Sequence, residues 1–275
     1  MRIDEYAGVF NNCEDMAERI LKSIYRYWFD ENGKILDNID FCFRLRCPFG
    51  NDGFVSICPT KFNVSAAYIL DTSKVNGDSV IIINPEIVNP HLNIKDDESL
   101  MGTLTHELTH MYRDTMKRRN GTSELEAGHK EGYFKAFDYY FREKKPIKLK
   151  KDISDFLYVT SQMEIPAYFA GMYGILSRNK YKIKTTNDAL LVLYNTKYFK
   201  RFSSLFYQMK RWFRTTDAEQ QKLLVQYLDE LAPVRIRTFG QFKKFIQKRY
   251  NRCNRKIEQL IPKMVAKFFE ENDIY

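Results

Sequence analysis

The sequence predicts an α+β fold, in which a small, mainly antiparallel sheet packs on one long helix and a large helical part follows. Three observations support this prediction. Short β-branched and aromatic runs, separated by Gly, Asn, Asp and Pro, are concentrated between residues 39 and 85. Apolar residues recur at helical spacing before this stretch and through most of the chain after it. Among 275 residues only 12 are glycine and 8 are proline, which argues against long disordered linkers.

One helix and a group of strands are predicted ahead of residue 86. Within the segment 13–29, the side chains of Met16, Ile20, Ile24 and Trp28 recur at helical spacing and share one face. An Asn-Gly-Asp turn signal at 76–78 separates the last two strands. The strands themselves are expected over residues 39–46, 53–58, 61–70 and 79–85.

A second, long helix is predicted from about residue 97 to residue 120. Asp97 is suited to cap its first turn, and Asn120-Gly121 is a typical C-terminal signal. Its buried face is formed by apolar residues three and four apart, namely Leu100, Leu104, Leu108 and Met111.

The chain beyond residue 121 is predicted to be almost entirely helical, with Asp217 as the N-cap of one helix. We divide the chain into an N-terminal α+β part, residues 1–145, and a helical part, residues 146–275. The expected helical segments are 130–143, 151–176, 187–214, 217–231, 239–258 and 259–272.

The net charge of +9 indicates a basic surface, which can contact nucleic acid, an anionic membrane or an acidic protein. The stretches 198–214 and 242–256 interleave basic and aromatic residues, as nucleic-acid-binding segments can. A solvated face is favoured over nucleic acid, because the spacing is helical. The expected core stripe of the first stretch is Phe199, Phe202, Phe206, Met209 and Phe213, which leaves Lys200, Arg201, Lys210 and Arg214 outside.

Cysteine usage indicates a reducing compartment. The count is odd and contains no CxxC pair, which argues against a disulfide framework. A zinc knuckle is discounted, because cysteine, arginine and apolar residues alternate over 41–46 as in a plain strand. The five residues are Cys13, Cys42, Cys47, Cys58 and Cys253.

The N-terminal segment MRIDEYAGVF lacks the pattern of a signal peptide. No apolar run approaches the roughly 20 residues of a membrane helix. We therefore expect no membrane partner, and a protein that stays in the cytoplasm or is built into a virion there.

The segment GTLTHELTHMYRD, residues 102–114, contains the pattern HExxH. His106 and His110 lie four residues apart, so on a helix both imidazoles can point at one metal ion. Glu107 lies about 100° around the helix, at the flank of that ion. Zinc held by neutral imidazoles lowers the pKa of a bound water to about 7, and a neighbouring carboxylate can accept its proton. The motif predicts a Zn²⁺ site with Glu107 as general base.

With INPEIV and SLMGTL ahead of it, the segment HELTHMY resembles the zincin superfamily of metallopeptidases. The resemblance covers roughly residues 60–176 and is specific at the HExxH helix and the strand before it. It implies a zincin-like fold, His106 and His110 as zinc ligands, Glu107 as general base, and a protein or peptide substrate bound along an edge strand. A further likeness is to zincin-like proteins of bacteriophages.

A catalytic zinc needs a third protein ligand. The metzincin pattern is excluded, because HMYRDTMKRR contains neither the glycine nor the third histidine. Glu164 lies in a segment that resembles the downstream glutamate helix of gluzincins, with Ala167 as the small residue at i+3. His129, in GHKEGYFKAF, resembles the third histidine of SprT-like proteases, although Lys130 stands where glycine is expected. We favour Glu164 and keep His129 as the alternative.

Three further residues have expected roles. Tyr168, one turn from Glu164, is a candidate donor to the oxyanion that forms on attack. Asp114 follows His110 by four residues, and either orients a ligand or is an exposed acid beside Lys117 and Arg118. His91 is expected in a loop.

Two functions are consistent with these features. The first is a zinc metallopeptidase with a helical C-terminal cap. The alternative is a zincin-fold structural or assembly protein, for example a phage virion component within a large protein assembly, with reduced or no peptidase activity. The intact Glu107 favours the first, because a scaffold has no need for a general base.

Overall fold

The computed structural model describes residues 3–32, 34–37, 39–47, 49, 53–61, 65–69, 78–85, 98–122, 124, 128–129, 132–214 and 217–272, with the backbone alone for 3–11. The fold over these ranges is α+β and mostly helical. Its nine α-helices are α1 (Ile3–Trp28), α2 (Glu98–Arg119), α3 (Tyr133–Arg142), α4 (Lys148–Val159), α5 (Glu164–Arg178), α6 (Thr186–Asn195), α7 (Lys197–Phe213), α8 (Ala218–Leu231) and α9 (Phe239–Glu271).

The chain divides into two compact units. The first comprises Met1–Leu125 and Ala167–Leu193, and the second comprises Glu126–Pro166 and Tyr194–Tyr275. Neither unit is one continuous stretch of chain, and helix α5 runs across the boundary between Pro166 and Ala167. The division at residues 145 and 146 proposed from the sequence stays a prediction.

The first unit contains a four-stranded sheet of β1 (Phe43–Arg46), β2 (Phe54–Pro59), β3 (Ala66–Tyr68) and β4 (Ser79–Ile83), in the order β1-β2-β4-β3. The small sheet is confirmed, but it is mixed. The outer pairs β1–β2 and β3–β4 are antiparallel, whereas the central pair β2–β4 is parallel. The parallel pair arises because the chain passes through the edge strand β3 before it returns to the centre of the sheet.

The predicted helix 13–29 is confirmed and begins earlier, at Ile3. The apolar residues predicted on its inner face are buried, as are Leu100, Leu104, Leu108 and Met111 of α2. Together with the inner residues of the sheet they form one apolar core.

Helix α2 ends where the sequence predicts. Gly121 has a φ of 71°, the left-handed conformation that glycine adopts without steric cost. The Gly121 amide donates to the Arg118 carbonyl and the Thr122 amide to the Lys117 carbonyl. These two bonds are a Schellman motif, which satisfies the last carbonyls of the helix.

Two predicted helices are each divided in two. The segment 151–176 contains α4 and α5, because Arg249 binds the Leu157 carbonyl and the Thr160 hydroxyl at the end of α4, and Pro166 cannot donate within a continuous helix. The segment 187–214 contains α6 and α7, because the Thr196 hydroxyl caps the Phe199 amide.

At the C-terminal end, two predicted helices are joined into one. The predicted helices 239–258 and 259–272 are one helix, α9, with Pro262 on its exposed side. Asp217 caps α8 as predicted. The core stripe of α7 is shifted from the predicted one, since Phe199, Phe206 and Phe213 are only half-buried. The buried residues of α7 are Tyr198, Phe202, Leu205, Met209 and Trp212.

Cys42 and Cys58 form a disulfide, contrary to the expectation drawn from the odd cysteine count. The antiparallel register of β1 and β2 places the two residues opposite each other. Cys13, Cys47 and Cys253 are buried free thiols. Among the helices in the described ranges, none combines the length and apolar character needed to cross a membrane.

Candidate metal centre

The helix that contains HExxH is buried on every side from Leu100 to Met111. A helix in this position needs partners for its polar side chains. The hydroxyls of Thr103, Thr105 and Thr109 each donate to the carbonyl four residues earlier. The remaining polar groups over these residues are His106, Glu107 and His110, the chemically active part of the motif.

Helix α5 packs closely against α2. A Cβ atom added at Gly102 would lie 2.9 Å from the Gly171 carbonyl oxygen, and one added at Gly174 would lie 2.6 Å from Oγ1 of Thr105. Glycines at these two positions therefore allow the helices to approach. The Tyr168 ring meets the His106 ring edge-on, with centroids 5.3 Å apart.

The structure brings together His106, His110 and Glu164, all of them buried. One possible ligand atom from each lies within 4.8 Å of the others. Glu164 is the first residue of α5, whose later residues pack on α2. A buried group of two imidazoles and one carboxylate is a donor set that can hold a metal ion.

The two histidines of this group lie close together. Nε2 of His106 and Nε2 of His110 are 3.2 Å apart. Tetrahedral zinc with bonds of roughly 2.0–2.1 Å separates two nitrogen ligands by about 3.3–3.4 Å. The helix thus holds both nitrogens close enough together to bind one metal ion.

The two oxygens of Glu107 have different surroundings. Oε1 lies 3.8 Å from Nε2 of His106. Oε2 accepts a hydrogen bond of 2.8 Å from the backbone amide of Tyr68, in the edge strand β3. One oxygen is thereby anchored while the other faces the histidine pair, so the carboxylate direction is fixed.

The anchor of Glu107 is itself fixed at its other end. The Tyr68 hydroxyl donates to Oδ2 of Asp114, 2.9 Å away, and Nε of Arg118 binds the same oxygen. Burial, and next the Asp114 carboxylate, raises the pKa of Tyr68, so its hydroxyl remains a donor at neutral pH. The edge strand is therefore tied to α2 at two positions.

Glu164 is held by residues that precede it in the chain. The Tyr133 hydroxyl donates to Oε1 of Glu164 at 2.8 Å, and the Ser161 hydroxyl accepts from the Glu164 amide at 3.1 Å. The Tyr133 ring stacks on Tyr158, with centroids 5.3 Å apart. A buried tyrosine with a fixed ring can orient the carboxylate toward a metal ion.

The other sequence-predicted residues are placed as follows. Tyr168 is buried one turn after Glu164, against His106. His129 is exposed and packs on Phe134, with centroids 4.9 Å apart, and belongs to no metal-binding group found in the described ranges. Asp114 is buried, so the expectation of an exposed acid is wrong. His91 lies outside the described residues.

Two residues of the centre were missed in the sequence, Tyr68 and Tyr133. Their hydrogen bonds join positions 39 and 31 residues apart in the chain. No local pattern marks either one among 18 tyrosines. Only the tertiary structure identifies them.

No protein-family model, no curated protein and no solved structure matches the chain.

Proposed function

We propose that this chain is a zinc metallopeptidase with a zincin-like fold, in which His106, His110 and Glu164 hold the metal ion and Glu107 is the general base. The observation that carries the proposal is the convergence of Glu164 on the two histidines of a buried HExxH helix. Glu164 follows His110 by 54 positions in the chain.

The residues of the chain have separate tasks in this proposal. A catalytic zinc lowers the pKa of water in its open coordination position to about 7 and polarises a carbonyl group. Glu107 accepts a proton from the attacking water at Oε1 and later transfers it to the leaving amine. Tyr68 holds Glu107 in position through the bond to Oε2. Tyr168, beside His106, is the candidate donor to the oxyanion.

The substitution Glu107→Gln tests the assignment of the base. Gln keeps an oxygen that can accept from the Tyr68 amide, so the fold and the metal ligands are retained. We expect peptide hydrolysis to fall by at least about 100-fold, while zinc content measured by mass spectrometry stays at the wild-type level. Hydrolysis would be followed with a casein-derived fluorescent peptide library.

Normal turnover by Glu107→Gln would refute the general-base role. If wild-type protein binds zinc but hydrolyses no peptide in the library, the assembly function becomes the better account. His129→Ala is the matched control, because it removes an exposed histidine and is expected to leave both zinc content and turnover unchanged.

A further inference from the structure

The basic character of the chain is confined to its last part. Residues 194–275 contain 18 Lys and Arg against 8 Asp and Glu, whereas residues 1–193 contain 26 against 27. The whole net charge of +9 therefore originates in the segment that forms α7, α8 and α9. A charge excess concentrated in this way favours an anionic partner for that segment.

The C-terminal half of α7 combines these charges with an exposed aromatic ring. Tyr207, Lys210, Arg211 and Arg214 line a depression of about 460 Å³. Tyr207 is 72% exposed. The depression combines three cationic side chains with one largely exposed aromatic ring.

The cations of this depression differ in how they are held. Arg211 pairs with Asp152. The ammonium of Lys210 lies over the Phe206 ring, 4.1 Å from its centroid. Within the described ranges, Lys210 and Arg214 make no ion pair with a carboxylate. Two of the three cations are thus available to a phosphate.

We propose that this depression is a binding site for single-stranded nucleic acid, with a base stacked on Tyr207 and backbone phosphates bound by Lys210 and Arg214. Cations beside an exposed aromatic ring are the combination that such sites use. An unpaired base is required, because bases within a duplex are already stacked on each other. An acidic protein would use the charges but has no need for the exposed ring. This site is independent of the metal centre.

Fluorescence anisotropy with the full chain tests the proposal. The probes are labelled oligo(dT) and oligo(rU) of 20 nucleotides and a duplex DNA of the same length. We expect Tyr207→Ala to weaken single-strand binding at least about fivefold, and Tyr207→Phe to restore it. The double variant Lys210→Gln/Arg214→Gln should lower the slope of log Kd against log salt by roughly 1.4.

Two matched controls remove the same groups elsewhere. Lys222→Gln/Lys263→Gln removes two exposed charges from α8 and α9, and Tyr181→Ala removes a tyrosine that is 86% exposed. Both should bind as the wild type does. The proposal is overturned if wild-type protein binds neither oligonucleotide, if it binds the duplex as tightly, if Tyr207→Ala has no effect, or if the charge control weakens binding equally.

Discussion

The hydroxyl group of Tyr133 donates a hydrogen bond to the carboxylate of Glu164 and can orient it. Tyr133→Phe removes this hydrogen bond and keeps the ring that stacks on Tyr158. We expect the Kd for zinc to rise about 10- to 100-fold, as with other partners that orient a metal ligand. Competition with a fluorescent zinc chelator measures the Kd. Tyr139→Phe, which loses a hydrogen bond to the Ile147 amide outside the centre, is the control. An unchanged Kd in Tyr133→Phe would remove this residue from the metal centre.

Tyr68 provides a test of the contact between the edge strand and α2. Its pKa is raised in the folded protein, first by burial and then by Asp114. The unfolded chain releases this proton near pH 10, whereas the folded protein retains it, so the folded state loses stability as the pH rises beyond about 10. Tyr68→Phe lacks this titration.

Between about pH 9 and pH 11, the free energy of unfolding of Tyr68→Phe should therefore fall less steeply than that of the wild type. Urea unfolding at each pH measures the two curves. Parallel curves over this range would show that the Tyr68 hydroxyl is not held as the structure describes.

The sequence could predict the HExxH motif but not the residues that hold its side chains and Glu164 in place. His106, Glu107 and His110 are adjacent in a known spacing, and Glu164 was chosen by resemblance to a family pattern. Tyr68 and Tyr133 have no such signature. Each contacts its glutamate from a different strand or helix, so only the folded chain brings the two residues together. The burial of Asp114 could not be predicted from the sequence either, because its partner Tyr68 comes from strand β3.

The arrangement of α2 and α5 depends on small residues. Gly102→Ala places a methyl group against the Gly171 carbonyl, an atom of the backbone that cannot rotate away. We expect the free energy of unfolding to fall by about 1–3 kcal/mol, and zinc affinity to fall with it as the helices separate. Thermal unfolding and zinc competition are the two measurements.

Gly240→Ala is the matched control, because the nearest atom to an added Cβ atom is 3.9 Å away. A helical alanine at that position should leave stability unchanged or raise it by up to about 1 kcal/mol. If Gly102→Ala behaves in the same way, the close approach of the two helices is not required.

Helix identity could be predicted from the sequence more readily than helix boundaries. Apolar periodicity continues through residues 151–176, so it does not reveal the break at 160–163. The break depends on Arg249, which reaches the end of α4 from α9. The relative direction of the strands could not be predicted from local patterns either, because the parallel pairing of β2 and β4 depends on the course of the chain between them.

In the whole molecule, the net positive charge and the candidate metal ligands belong to different parts of the sequence. His106 and His110 lie in the part of the sequence that has almost no net charge, and the basic excess lies beyond residue 193. The composition of the full chain could not show this separation. Because the two regions are separate, we expect that removal of positive charge from α7 leaves zinc content unchanged. We also expect that loss of the metal leaves oligonucleotide binding unchanged.

We propose that His106, His110 and Glu164 hold one zinc ion. The most direct test is zinc content by mass spectrometry on purified wild type, Glu164→Gln and His129→Ala, with folding checked by circular dichroism. Gln keeps an acceptor for the Tyr133 hydroxyl and removes only the charge of the ligand. We expect one zinc per chain in the wild type and in His129→Ala, and a strong loss in Glu164→Gln. A folded wild type without zinc, or loss confined to His129→Ala, would contradict it.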